Sequence, residues 1–197
     1  MQAGTTGNSG RKSVIYELFI LGELMDGPHY GYLLRDILGR LLGPFRNISW
    51  GVLYPLIRQL EQEGLIALEE SELEEKGSGS KQSKAYHITD AGRHRFMALM
   101  LDKGEFTADY PELFVVKLNN LQHLTPTQQL TVLQHYQEYL EMEKVTLLRG
   151  QQKILERVIG VPEEQQPHVL EVIDFRVNKV QAQLDWLHRK IASMLQP

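Results

Sequence analysis

Apolar residues recur at steps of three and four along the first third of the chain, which is the spacing of helices that bury one face. The pattern predicts three helices, Ser13–Met25, Tyr30–Leu41 and a third that begins after Asn47 or Ser49 and ends near Glu63. Each is followed by glycine, alone or beside proline, which is a common signal for the end of a helix. The third helix is expected to turn four apolar residues inward: Leu53, Leu56, Ile57 and Leu60.

Two short segments beyond the third helix have the pattern of strands. Residues 65–68 are continuously apolar, and residues 85–89 alternate between apolar and polar side chains. The stretch 69–84 between them is acidic in its first half and basic in its second. Asp90 is a candidate N-cap for a fourth helix that runs to about Asp102. The order of three helices, two strands and a helix is that of a winged helix-turn-helix domain.

Helical periodicity dominates from Lys103 to the end. One helix is predicted from Pro111 to about Leu124, and a capping box at 125–128 opens a long helix to about Ile159. The last helix, from about Glu163 to Leu195, carries an unbroken heptad pattern of apolar residues. The members of that pattern are Leu170, Ile173, Val177, Val180, Leu184, Leu187, Ile191 and Met194.

This heptad stripe allows three arrangements: the core of a hairpin within one chain, a coiled coil between chains, or both. A hairpin alone would leave one side of so long a stripe in water, so we expect it to serve dimerisation. Phe175 and Trp186 on the same helix are expected to be packing residues.

The fold class predicted from these elements is mainly α. An α+β winged helix-turn-helix domain occupies residues 11–102, and a helical, coiled-coil-like dimerisation domain occupies residues 103–197. Residues 1–10 are rich in Gly, Ser and Thr and are expected to form a flexible arm.

Composition narrows the class of protein. The 197 residues include no cysteine, which excludes disulfides and thiolate metal sites, and no apolar run approaches the ~18 residues of a membrane span. The first residues lack the order of a secretory signal, so the expected location is the cytoplasm. A net charge of −4 argues against a protein coated in Lys and Arg, so any binding to DNA must be local.

Four ordered strings then resemble the PadR-like transcriptional regulators. Gly27-Pro28-His29-Tyr30-Gly31-Tyr32 is similar to the family's GPxxGYxL element, and Gly51-Val52-Leu53-Tyr54-Pro55-Leu56 to its GTLYPxL element, with Val52 where Thr is commoner. Leu60–Ile66 and Lys84–Gly92 are similar to the elements that flank the wing. The length of the C-terminal part is similar to that of the family's larger-tail branch, which includes repressors that respond to phenolic acids.

The resemblance implies that the third helix enters the major groove of DNA. The residues left on its outer face are Ser49, Trp50, Gly51, Tyr54, Pro55 and Arg58. Tyr54 is expected to face DNA, with closure of the small core as the alternative, and Arg58 to bind phosphate or guanine, with a solvated surface charge as the alternative. Trp50 either stacks on the sugar–phosphate backbone or packs against the wing.

Further contacts with the DNA backbone are expected from the wing lysines Lys76, Lys81 and Lys84, although each alone is more often a solvated loop charge. Tyr30 and Tyr32 are candidates for positioning phosphate, with packing under the third helix as the alternative. The acidic side of the wing, residues 69–75, must turn away from DNA.

No enzyme signature is present: the sequence has no HExxH, G-x-S-x-G, P-loop or dinucleotide motif. We therefore expect no catalysis, no cofactor and no metal. The predicted partners are a pseudo-palindromic operator in double-stranded DNA, a second copy of the chain and, by family analogy alone, a small aromatic effector. The alternative function is a winged-helix module that binds protein and not DNA.

Overall fold

The computed structural model describes residues 6–43, 50–69 and 85–195 of the chain. The helices and strands in these ranges are, in chain order, α1 (Thr6–Asp26), β1 (His29–Tyr30), α2 (Gly31–Leu42), α3 (Trp50–Gln62), β2 (Ile66–Leu68), β3 (Ala85–Ile88), α4 (Asp90–Leu101), α5 (Tyr110–Asn119), a 3-10 turn (Leu121–His123), α6 (Pro126–Leu155) and α7 (Gln166–Leu195). The mainly α fold class with a small sheet is confirmed. The chain divides into two compact units, Met1–Leu124 and Thr125–Pro197.

Helix α1 is the centre of the first unit. Four consecutive residues, 18–21, have no exposed surface, because α1 packs against α2, α3, α4, α5 and β3. A helical turn that is apolar on every side, as residues 18–21 are, belongs in such an interior position. It begins at Thr6, seven residues before the predicted start at Ser13, and therefore takes in the second half of the segment predicted as a flexible arm.

The sheet has three antiparallel strands in the order β1-β3-β2. Strands β2 and β3 were expected from the sequence, and their register pairs Ile66 with Ile88. The edge strand β1 was not expected, since two residues are too short to show alternation; it pairs His29 with Tyr86. This third strand joins the beginning of α2 to the wing.

The start of α4 differs from the prediction by one residue. The N-cap is Thr89, whose hydroxyl accepts a hydrogen bond from the Gly92 amide at 3.1 Å, and Asp90 is the first helical residue. Thr89 occupies the N-cap position because its hydroxyl also donates to the Gly64 carbonyl at 2.7 Å. The same side chain thus caps the helix and ties it to the end of α3.

Helix α5 is shorter than predicted, and the residues that follow it form a 3-10 turn in place of a further helical turn. Its C-cap Asn120 is 1% exposed and donates from Nδ2 to the Val116 carbonyl at 2.8 Å. Gly22 of α1 lies directly against this side chain, where a Cβ atom would overlap the Asn120 amide. This close approach seats α5 on α1, so the first compact unit extends to Leu124.

Helices α6 and α7 form the second unit as an antiparallel pair. The Thr125 capping box is confirmed, with the Gln128 side chain accepting from the Thr125 amide at 3.0 Å. Helix α6 ends at Leu155, earlier than predicted, where Arg157 turns the chain with a positive φ of 59°. Helix α7 begins at Gln166, three residues later than predicted.

Candidate nucleic-acid interface

Helix α3 has two faces of opposite character. The four residues predicted to turn inward are buried, with Leu53, Ile57 and Leu60 no more than 1% exposed, and that prediction is confirmed. They pack toward α1, α2 and β2. The opposite face carries the exposed residues Gly51, Val52, Tyr54, Pro55, Arg58 and Gln59. Because Tyr54 is 44% exposed, the alternative that it closes the core is wrong.

Tyr54 and Arg58 form one unit on this outer face. The Arg58 guanidinium carbon lies over the Tyr54 ring, 5.2 Å from its centroid. The spacing of four residues brings the two side chains together on a helix, and a cation over an aromatic face is attracted by the ring. The contact holds a planar group of five N–H donors in a defined posture, which suits recognition of phosphate or of a guanine edge.

Strand β3 supports this pair from the wing. Tyr86 is 5% exposed, and burial raises the pKa of its hydroxyl, with further raising by Glu61 and Tyr54 and lowering by Arg58. These electrostatic neighbours show that Tyr86, Tyr54, Arg58 and Glu61 lie close together. Tyr86 was not among the predicted site residues, because an alternating strand reveals which face is buried but not which helix covers it.

Pro55 is the sixth residue of α3 and lies in its second turn, later than the position in or near the first turn expected for a residue without an N–H. Its missing donor leaves the Gly51 carbonyl without the usual hydrogen bond from four residues on.

Tyr30 and Tyr32 stack on each other at the start of α2. Their ring centroids are 5.7 Å apart and their planes differ by 17°. The rings are 43% and 51% exposed, so the alternative that they pack beneath α3 is wrong. Strand β1 fixes Tyr30 beside the wing by pairing it with Ala85. A contact of either tyrosine with phosphate stays a prediction.

The base of the wing is built from close backbone contacts. The Leu65 carbonyl accepts from the Thr89 amide at 3.1 Å, and the Thr89 hydroxyl, which donates to Gly64, lies 3.1 Å from the same oxygen. Gly92 lies against the same carbonyl, where a Cβ atom would overlap it and would lie 2.7 Å from Ile88 Cγ1. Glycine at this position therefore lets α4 approach the α3–β2 turn.

Several predicted contacts lie outside the described residues. They are Ser49, the Trp50 side chain, and the wing lysines Lys76, Lys81 and Lys84. Trp50 itself is the first described residue of α3.

The heptad stripe of α7 packs against α6 within one chain. Val180, Leu184 and Leu187 are at most 4% exposed. The other members are half-buried: Leu170, Ile173, Val177, Ile191 and Met194. Tyr136 of α6 donates to Gln183 at 2.6 Å, and burial raises the pKa of the Tyr136 hydroxyl to about 12. The stripe therefore forms the core of a hairpin, and its part in dimerisation stays a prediction.

A second apolar stripe on α7 faces away from that core. Val172 is 59% exposed, Phe175 70% and Trp186 39%, so neither aromatic side chain is buried within the hairpin of one chain, and their role as packing residues stays a prediction. Helix α6 adds the exposed residues Met142, Val145, Leu148 and Leu155. The signal for the α7 stripe was in the sequence, since residues 172, 175, 182 and 186 share one helical face. We call Val172, Phe175, Ala182 and Trp186 the outer stripe.

Two buried charges hold the first unit together. Glu17 of α1 accepts two hydrogen bonds from the Arg95 guanidinium of α4, at 2.6 and 3.2 Å, which raise the pKa of Arg95. Lys117 of α5 is 2% exposed and donates to the Asp102 carbonyl at 2.7 Å; burial lowers its pKa to about 8. Both pairs join helices around α1.

Among the described residues, no cluster of three or more His, Asp or Glu side chains is arranged to hold a metal ion. Within the same ranges, none of the helices combines the length and apolar character that crossing a bilayer requires.

Residues 20–98 match the model of the family described as the Transcriptional regulator PadR-like family. The crystal structure of Bacillus subtilis PadR in complex with operator DNA is similar at 20% identity and a TM-score of 0.41, over 90% of this chain and 98% of that one. The crystal structure of the same protein in complex with p-coumaric acid is similar at 18% identity and a TM-score of 0.39, over 92% of this chain and 99% of that one. The crystal structure of the PadR-like transcriptional regulator BC1756 from Bacillus cereus is similar at 23% identity and a TM-score of 0.35, over 91% of this chain and 97% of that one. No curated protein matches the sequence significantly.

Proposed function

Because the chain belongs, through residues 20–98, to the PadR-like family of transcriptional regulators, a family without enzymatic activity, we propose that it binds a specific operator in double-stranded DNA and represses transcription. Residues 11–102 bind the DNA and residues 103–197 dimerise the protein. The regulator acts in the cytoplasm as a homodimer.

The observation that carries this proposal is the outer face of α3. Four buried residues anchor the helix in the unit, while Tyr54 and Arg58 project from it as a stacked pair. An exposed helix face with an oriented guanidinium fits the width of the major groove, where arginine reads guanine or contacts phosphate. Because the net charge of −4 gives no general attraction of the whole protein to DNA, the affinity must come from local contacts of this face and of the wing lysines with the operator.

Further contacts complete the proposed interface. Trp50 and Gly51 lie at the start of α3, where helix N–H groups favour phosphate, and Ser49, which precedes them in the sequence, is proposed to contact phosphate with them. Tyr30 and Tyr32 contact the backbone beside the wing, and Lys76, Lys81 and Lys84 contact it from the wing itself.

The proposed dimer places two copies of α3 on one operator. A two-fold axis in the protein calls for a pseudo-palindrome with half-sites roughly 34 Å, one helical turn, or a multiple of it apart. The most buried members of the heptad stripe, Val180, Leu184 and Leu187, pack in the hairpin, so we place the second copy on the outer stripe of α7 beside the half-buried members Leu170, Ile173, Val177, Ile191 and Met194. A small aromatic effector that favours a wrong spacing of the two α3 helices would release the operator.

Selection of binding sites from a random duplex library tests the proposal. Enriched sequences are then titrated by fluorescence anisotropy across a salt series. We expect an inverted repeat whose affinity falls steeply with salt, since several Lys and Arg release counterions. A folded dimer that enriches no sequence would contradict the proposal and favour the protein-binding module.

A further inference from the structure

The exposed outer face of α3 has two sides that differ in height and polarity. By helical spacing, Gly51, Val52 and Pro55 share one side of this face. Tyr54 and Arg58 share the other side, where the guanidinium lies over the ring. The first side is low and apolar, because glycine has no side chain and those of valine and proline are short. We call Gly51, Val52 and Pro55 the low side of α3.

Val52 presents its side chain to solvent on this low side. It is 48% exposed and is the third residue of α3, so it lies within the first helical turn. When a helix enters the major groove, its N-terminal residues are the ones that contact base edges. Gly51 beside it permits a close approach of the helix backbone, so even a short side chain at position 52 can reach the bases.

The chemistry of a valine side chain limits what it can recognise in DNA. It has no hydrogen-bonding atom, so it binds neither phosphate nor a polar base edge. The apolar group that a base presents in the major groove is the 5-methyl group of thymine. Valine in a helix has one strongly preferred χ1 rotamer, so its methyl groups are held in place before binding and lose little entropy on contact. Position 52 is therefore suited to one base of the four.

We propose that Val52 contacts the 5-methyl group of one thymine in each half-site of the operator and so selects thymine at that position. This inference rests on the proposed function and adds to it the identity of a base. Gln59 lies two turns after Val52 on the same side of α3, and its amide donates to Glu63 at 2.8 Å. Because that amide is engaged within the helix, we assign the base contact of this side to Val52.

The expected strength of the contact is that of burying one methyl group. Such a group is worth about fourfold in affinity, so the loss of both contacts in a dimer should cost about fifteenfold. A bidentate contact of arginine with guanine discriminates at least as strongly as one methyl contact. Val52 therefore sets a sequence preference and does not supply most of the affinity.

The test replaces thymines of the selected operator by deoxyuridine. Deoxyuridine lacks the 5-methyl group and keeps the hydrogen-bonding groups of thymine. Each duplex carries the change at one position in both half-sites and is titrated with the full chain by fluorescence anisotropy. We expect one symmetric thymine position at which deoxyuridine weakens binding about fifteenfold through the loss of the contact with Val52.

The variant Val52→Ala removes the methyl groups from the protein side of the contact. It should bind the thymine operator about as tightly as the unchanged chain binds the deoxyuridine operator. At that position deoxyuridine should then have no further effect in the variant, because both changes remove the same contact. Val115→Ala, the same change at a residue of α5 that is 36% exposed, should leave the thymine preference as it is. Circular dichroism melts verify that both variants fold.

Two results would overturn the inference. One is an equal effect of deoxyuridine in Val52→Ala and in the unchanged chain, and the other is the lack of any symmetric position at which deoxyuridine weakens binding. In both cases an operator is still bound, so the proposed function stands. Failure to select any operator from the duplex library overturns the proposed function and this inference together, so the two failures are distinguishable.

Discussion

The two compact units of this protein are stabilised by different kinds of contact. In the first unit, individual residues make specific contacts: Thr89 caps α4 and ties it to the end of α3, and Gly92 lets the same helix approach a carbonyl. In the second unit, α6 and α7 are held by a pattern repeated over thirty residues each. A repeated pattern shares its stability among many similar contacts. Irregular contacts make each residue harder to replace.

The largest expected effect comes from aspartate substitutions on α7, which should differ in their consequence between its two apolar faces. Leu184→Asp with Leu187→Asp puts two carboxylates into the hairpin core, where they have no partner, and should cost several kcal/mol and remove helicity from the second unit. Val172→Asp with Phe175→Asp changes exposed residues and should keep the helicity while the dimer dissociates. Circular dichroism and light scattering read the two effects. An intact dimer in the second variant would move the interface away from the outer stripe.

A pair of glycine substitutions contrasts the two units directly. Gly92→Ala forces a Cβ atom against the Leu65 carbonyl and should lower the free energy of unfolding by about 3 kcal/mol, the scale of an overpacked core. Gly150→Ala in α6 meets no atom within 4 Å and should raise it by about 0.5–1 kcal/mol through helix propensity. Urea unfolding measures both. Equal effects of the two changes would contradict the contrast.

The lowered pKa of Lys117 predicts that the stability of the first unit depends on pH. Its pKa in the folded protein is about 8, against 10.5 for an ordinary lysine, so between these values the unfolded state binds more protons and stability rises with pH. The gain from pH 8 to 10 should be about 2 kcal/mol.

The variant Lys117→Met should lose this slope, because it cannot titrate. Chemical unfolding at pH 8, 9 and 10 compares it with the unchanged chain, in which every other titrating group is the same. Parallel curves for the two proteins would show that the ammonium of Lys117 is not buried in the folded state.

The smallest effect concerns the stacked pair on α3. Tyr54→Ala should weaken operator binding about fivefold, since an exposed cation–π contact is worth about 1 kcal/mol. Tyr54→Phe keeps the ring under Arg58 and should bind within about twofold of the unchanged chain. Anisotropy titration of the selected operator measures both variants. A loss in Tyr54→Phe as large as in Tyr54→Ala would mean that the hydroxyl contacts DNA.

Arg58→Ala supplies the matched control for this pair. It should weaken binding more than Tyr54→Ala, and Tyr54→Ala should add little in its background if the ring acts through the guanidinium. Dimer mass and helicity should not change in any of these variants.

Local signals in the sequence predicted most of the helices and their inward faces. The capping box at Thr125 and the buried set from Leu53 to Leu60 were read correctly, because both depend on residues within one or two turns of each other. The same reasoning missed β1, Tyr86 as a neighbour of Arg58, and the outward position of Phe175. Each of these depends on segments distant in sequence.

The sequence by itself determined the order of elements, the inward face of α3 and the motifs of the family, since periodicity and caps are local properties of the chain. Only the tertiary structure decided that the heptad stripe of α7 packs against α6, that the Tyr54 ring lies beneath the Arg58 guanidinium, and that a cavity remains between α1, α4 and α5. A periodic stripe states that a face must be buried but not what buries it. That choice depends on contacts between residues far apart in the chain, where packing and charge select one partner among several.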